Sequence, residues 1–167
     1  MMFSKLKDSV RILGKKEEFK GYMKNNPDAF LADAFIILKE QEDWQIDFYS
    51  EKKDKITSFI LKENNLQMKQ SDVFKKEDTK ITELNLENVK IMLEHSLKLI
   101  ETQTKEKPSK IIIALQVLND KETWNITYLT KSFKTVNFKI DAATGAILSK
   151  DESSVVSNLK LGDFIKK

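Results

Sequence analysis

Leu38-Lys39-Glu40-Gln41-Glu42-Asp43-Trp44-Gln45-Ile46-Asp47-Phe48 and Leu118-Asn119-Asp120-Lys121-Glu122-Thr123-Trp124-Asn125-Ile126-Thr127-Tyr128 share a leucine, a five-residue spacer and a tryptophan segment. The two tryptophans are the only ones in the chain, and they stand 80 residues apart. Holding that offset from Phe35 to Ser50 also pairs Ile37 with Val117, Glu42 with Glu122, Ile46 with Ile126 and Phe48 with Tyr128. A one-residue slip then aligns Phe59 with Phe138 and Leu61 with Ile140. Coincidence of the rarest residue inside a shared alternating pattern predicts two copies of one unit.

Each copy reads as an antiparallel meander. Trp44, Ile46 and Phe48 alternate with Gln45, Asp47 and Tyr49, the period of a strand with one buried face. The run 34–39 looks helical by itself, but its counterpart 110–118 holds Ile111-Ile112-Ile113 and Val117, which favour a strand. Polar residues 40–43 and 119–122 read as hairpin turns. Third strands are expected at 55–62 and 135–140, and short fourth strands at 66–69 and 146–150. The turns before the fourth strands are Glu63-Asn64-Asn65 and Asp141-Ala142-Ala143-Thr144-Gly145.

A helix is expected before each meander. Leu86, Val89, Leu93, Leu97 and Ile100 recur at helical spacing, with Asn85 as N-cap, Leu84 and Val89 as a hydrophobic staple, and Pro108 as the stop. The first helix, about 3–25, carries Leu6, Val10, Leu13, Phe19, Tyr22 and Met23. Its apolar phase breaks near Gly14, which predicts a kink or split, and Pro27 closes it. The expected architecture is α+β: two repeated units, each one helix plus a four-stranded antiparallel meander, packed about a pseudo-two-fold axis as a single body. The units span 1–69 and 84–150, with a connecting segment at 70–83. A tail at 151–167 carries Val155, Val156 and Leu159 at helical spacing, a possible short helix.

Composition narrows the chemistry. The chain has 167 residues, a formal net charge of +3 and 40% hydrophobic content. A chain of this length buries roughly 68–70% of its unfolded surface, enough to hold without disulfides or metals. Zero cysteines exclude thiol catalysis, iron–sulfur clusters and Cys-based zinc sites, and the single His95 excludes multi-histidine metal sites. Four glycines write neither a Walker loop nor a dinucleotide fingerprint. Of 29 basic residues, 28 are lysine and one is Arg11, interleaved with 26 acids. Without a basic stripe or arginine forks, nucleic-acid binding is not expected. The opening Met1-Met2-Phe3-Ser4-Lys5-Leu6-Lys7-Asp8 is charged too early to read as a signal peptide, and no apolar run approaches the ~20 residues of a membrane span. A cytoplasmic location is the expectation.

Trp124-Asn125-Ile126-Thr127-Tyr128, followed by Phe138-Lys139-Ile140-Asp141-Ala142-Ala143-Thr144-Gly145-Ala146-Ile147-Leu148, resembles the PepSY family. A tryptophan strand, an aromatic strand and an Asp-Ala-x-Thr-Gly turn recur there in this order. The resemblance covers about 84–150, and the first copy looks like a diverged relative with Glu63-Asn64-Asn65 in place of the turn. It implies a cystatin-related fold and a non-catalytic module that inhibits or regulates peptidases, often at the cell envelope.

Individual residues point the same way. Trp44 and Trp124 lie on the apolar stripe of a strand and read as core anchors rather than ligand platforms. His95, beside Glu94 between Leu93 and Leu97, reads as a surface or half-buried residue rather than a base. Glu40, Glu42, Asp43, Asp120 and Glu122 put carboxylates at both hairpin tips, where solvent gives their acidity no reason to shift. Asp141, Thr144 and Gly145 read as turn formers. Asn125-Ile126-Thr127 matches a glycosylation acceptor but lies inside a strand. No catalytic, cofactor or metal residue is assigned. The expected function is a non-enzymatic protein- or peptide-binding or regulatory module, monomeric or weakly homodimeric. A carrier of small apolar ligands, with a pocket between helix and sheet, is the alternative, and a hydrolase is a third reading.

Overall fold

The computed structural model describes residues 1–73 and 80–154. Helices α1 (Met2–Leu13) and α2 (Glu17–Asn25) precede the strands β1 (Phe30–Leu38), β2 (Gln45–Ser50), β3 (Lys55–Lys62) and β4 (Asn65–Asp72). A 3-10 turn (Leu86–Asn88) and helix α3 (Leu93–Gln103) lead to β5 (Pro108–Leu118), β6 (Lys121–Thr130), β7 (Lys134–Asp141) and β8 (Ile147–Ser154). All eight strands join one antiparallel sheet in the order β4-β3-β2-β1-β5-β6-β7-β8, so the fold is α+β. Among the described residues no helix is long and apolar enough to cross a membrane.

The helices cover one face of this sheet. Alternation sends Trp44, Ile46, Phe48, Phe59, Ile113, Leu115, Trp124, Ile126 and Phe138 into a single core with Phe3, Leu6, Leu13, Leu93 and Ile100 of the helices. Trp44 is 1% and Trp124 0% exposed, and their ring centroids lie 6.4 Å apart. Each indole also has a backbone acceptor near a helix start: Trp44 Nε1 donates to Met2 O at 3.0 Å, and Trp124 Nε1 to Ile91 O at 2.9 Å. Both tryptophans are therefore core residues whose one polar atom is satisfied.

Several expected boundaries are corrected by tertiary contacts. The break expected near Gly14 is a full split into two helices, because a continuous helix would carry Phe19 about 240° round from Leu13. A break at Gly14–Lys16, with Lys16 extended, lets Phe19 reach Phe48 and Phe59 at 5.0 and 5.3 Å. The first half therefore contributes two helices, not one. In the second half, Asn85 does cap, but only the 3-10 turn, through Glu87 N–H. Lys90 and Ile91 both donate to Ala142 O, which holds this stretch out of a helix until Leu93. The helix ends at Gln103, and Pro108 opens β5 instead of stopping α3.

Both fourth strands run longer than expected. Strand β4 continues to Asp72, into the segment assigned to the connection at 70–83, since Lys55 and Ile56 still offer partners to Asp72 and Ser71. Strand β8 continues to Ser154, past the expected end of the second unit at 150, pairing Lys134 with Ser154. The proposed tail helix falls on 155–167, outside the described residues. Two turns are tighter than their polar runs suggested. Glu63-Asn64 and Asn119-Asp120 alone have positive φ at both positions, the two-residue turn that suits hairpin twist, so Asn65, Lys121 and Glu122 belong to strands.

One long-range contact holds the helix pair together. Glu94 Oε1, in the first turn of α3, accepts the Met2 N–H at the start of α1 at 2.8 Å. An acid there satisfies an orphan amide and opposes the positive end of the helix dipole. Glu94→Ala should cost about 1 kcal/mol, read as a lower urea midpoint with an unchanged slope. A midpoint equal to the parent's would show that α1 needs no such cap.

Candidate functional site

The face away from the helices is built by the alternate residues of the same strands. Register places Lys69, Ser58, Asp47, Asp33, Gln116, Thr123 and Asp141 in one transverse row across seven strands. At its centre Asp33 and Asp47 are directly opposed on β1 and β2, beside a bulge between Leu31 and Asp33. Asp33 is half-buried and Asp47 is buried. Burial first, then the charge of Asp47 and the hydrogen bond between the two carboxyls, push the Asp33 carboxyl up to about 8. At neutral pH the pair thus holds one shared proton. Gln45 Nε2 donates to both Asp47 oxygens, at 3.1 and 3.3 Å, and to Ser58 Oγ at 3.3 Å.

A second polar cluster lies across β6 and β7. Asn137 Nδ2 donates to Asn125 Oδ1 at 2.6 Å and to Thr127 Oγ1 at 2.8 Å, and Lys139 Nζ donates to Asn137 Oδ1 at 3.0 Å. Asn125 of the glycosylation-like triplet is therefore engaged inside the sheet face. Aliphatic and aromatic neighbours, Phe35, Ile37, Ile60 and Ile112, fill the rows beside these clusters and are only half-buried.

The sheet ends differ from one another. Strand β4 pairs with β3 over eight consecutive positions without a bulge, and among the described residues its outer edge has no strand partner. It carries Lys69 and Asp72 as its only charges, has no proline, and leaves Met68 57% exposed on the helix side, opposite Phe59. Strand β8 is irregular at Leu148, between the partners of Lys139 and Ile140, and carries Lys150-Asp151-Glu152. Charges and bulges are the usual guards of an open edge. By that measure β8 is guarded and β4 is not.

The residues singled out in the sequence are dispersed. Because β1 and β5 run antiparallel, the two acidic hairpin tips lie at opposite ends of the sheet. Glu40 pairs with Lys110 at 2.7 Å, Asp43 with Lys5 at 3.2 Å, and Glu122 accepts from Asn88 at 3.0 Å. These acids serve local ion pairs and hydrogen bonds rather than one cleft. His95 is exposed in the first turn of α3. Asp141 shapes its turn by accepting from Ala143 and Thr144 N–H at 2.8 and 3.2 Å. Burial pushes its carboxyl up, but those amides and Lys121 prevail and hold it below the ordinary range. Gly145 takes φ +82°, with Ile91 3.6 Å from where a Cβ would stand, so a side chain there would be strained.

The pair Asp33–Asp47 was missed in the sequence. Its one signal is an acid within the otherwise apolar run Phe30-Leu31-Ala32-Asp33-Ala34-Phe35-Ile36-Ile37-Leu38. Among the described residues no three His, Asp or Glu side chains converge to hold a metal ion. Two surface depressions are formed by the Leu118–Lys121 hairpin with β7 and β8, and by the end of α3 with β8. The first lies on the helix-free face; the second lies between the C-terminal end of α3 and β8 and is lined by polar and charged residues.

No protein-family model matches the chain, and no curated protein does. Its fold is similar to that of a crystal structure from Clostridium difficile 630, described as a "putative lipoprotein" (CD1622), with a TM-score of 0.55. The likeness covers 82% of this chain and 91% of that one, at 9% sequence identity. At that identity the likeness concerns the fold.

Proposed function

We propose that this protein is a non-enzymatic binding module that takes an extended segment of a partner protein along the open edge of β4. The observation that carries this reading is the long, unbulged, sparsely charged β4 edge with Met68 exposed beside it. An added strand would satisfy the free backbone groups of Asn65–Asp72, and its alternate side chains would cover Met68 and Leu66. The affinity then comes largely from main-chain hydrogen bonds, with modest preference for apolar residues at every second position.

A duplicated, PepSY-like origin supports the same class. The two tryptophan strands flank the central β1/β5 pair, and both indoles bond to a carbonyl near a helix start. Gln45, Asp47 and Ser58 in one half correspond to Asn125, Thr127 and Asn137 in the other, each set linked by an amide side chain. By fold analogy such a module regulates peptidases. A cytoplasmic location accompanies the proposal, and the cysteine-free composition suits a reducing compartment.

The reading is tested by selecting extended peptides from a random library and mapping the best one by amide NMR. Chemical-shift changes are expected along Asn65–Asp72, and alternate N-methylation of the peptide should abolish binding. Met68→Lys should weaken it about tenfold. Peptides that bind equally well after N-methylation, or that perturb the Phe35–Ile112 face instead, would overturn the proposal.

A further inference from the structure

A groove of about 780 Å³ opens on the helix-free face where the β5–β6 hairpin meets β7, β8 and the segment leading to the 3-10 turn. Leu118 and Leu148 form its apolar wall, and Leu148 is 42% exposed. Its charged lining is Lys80, Lys121 and Lys139 against one acid, Asp120. Lys121 lies 3.7 Å from Asp141, whose other oxygen is held by turn amides. Lys139 is half-buried, and it donates to the neutral amide of Asn137. Among the described residues no carboxylate is in ion-pair contact with Lys80 or Lys139. Ser149 Oγ, in the same lining, is buried without a hydrogen-bond partner.

These features call for one kind of ligand. A half-buried ammonium facing only a neutral acceptor is relieved by an anion, and an unsatisfied buried hydroxyl by a further polar atom. The leucines require an apolar body on the same molecule. Asp120 at the rim disfavours a second negative charge, which selects a monoanion over a phosphate dianion. The volume matches that of small-molecule sites.

We propose that this groove binds a free monocarboxylic acid with an apolar tail, the carboxylate taken by Lys139 and Lys80 and the tail lying over Leu118 and Leu148. The site is distinct from the β4 edge, and neither proposal depends on the other. Dodecanoate, kept below its micelle concentration, is titrated into the full chain by calorimetry and amide NMR. Saturable one-to-one binding is expected, with shifts at Thr123, Lys139 and Ser149. Replacing Lys80 and Lys139 together by glutamine should weaken it at least about tenfold. Dodecanol, with the tail but no charge, and acetate, with the charge but no tail, should each bind the parent protein at least about tenfold more weakly than dodecanoate. Met68→Lys should leave dodecanoate binding unchanged. Equal binding of dodecanol or acetate, shifts confined to another surface, or no saturable binding would overturn the assignment. Binding to phosphatidylglycerol vesicles without binding to monomeric dodecanoate would overturn it as well. The dodecanol and acetate comparisons use the unaltered chain, so the test stands even if the double variant fails to fold.

Discussion

Replacing Trp124 by alanine is expected to cost about 3–5 kcal/mol of stability, a large share of the roughly 5–15 kcal/mol that a domain possesses. Its indole is fully buried, meets Phe3 edge-on at 5.8 Å and lies 6.4 Å from Trp44, so it joins α1 to both halves of the sheet. The bond to Ile91 O gives a second, separable contribution. Trp124→Phe keeps most of the ring volume but orphans that carbonyl, and should cost about 1–3 kcal/mol. Urea unfolding followed by far-UV circular dichroism measures both, since fluorescence would lose one of its two reporters. A cycle with Trp44→Phe should reveal a coupling of about 0.5–1.5 kcal/mol. Additive effects within error would show that the two indoles are independent anchors rather than one packed unit.

The second large effect concerns Asp33. Its carboxyl titrates near 8 in the folded chain against an ordinary 3.8, so the folded state keeps a proton that the unfolded chain has already released. Between about pH 4 and 8 the folded state binds more protons, and stability falls as pH rises through that window. Above it the loss is complete. Asp33→Asn removes the titration and still offers an N–H to Asp47. The variant should match the parent near pH 4 and exceed it at pH 8 by on the order of 2 kcal/mol, a figure discounted for screening at a half-buried site. Measuring the difference between the two proteins at each pH cancels every other titrating group. A difference that stays constant from pH 4 to 8 would mean the two carboxylates ionise separately.

What the residues disclosed in advance is instructive by position. Trp44-Gln45-Ile46-Asp47-Phe48 declared a strand because its period is local, and Trp44, Ile46 and Phe48 are buried as that period selects. Asp47 and Tyr49 on the opposite face are buried too, so β2 is covered on both faces rather than one. The start of α3 was misread for the opposite reason. Leu86, Val89 and Leu93 satisfy a helical spacing while the backbone N–H groups of Lys90 and Ile91 between them are claimed by Ala142, more than 50 residues away, and no local pattern records that. The Asp33–Asp47 pair was hidden in the same manner. It needs the register between β1 and β2, and a bulge sets that register. The β4 edge was legible as a strand, whereas its lack of guards became apparent only once sheet order placed it outermost.

The sheet order also sets how the chain must fold. Every neighbouring strand pair joins strands consecutive in sequence except β1 with β5. Hairpins between consecutive strands form within microseconds, while the central seam must wait for the ends of a far longer loop to meet. Until then each half exposes along its bare edge the most apolar strand it owns, Phe30–Leu38 in one and Pro108–Leu118 in the other. Those two edges complement each other whether they belong to one molecule or to two. At high concentration the half-assembled chain therefore has a ready route to exchanged dimers, and dilution during refolding favours the closed monomer.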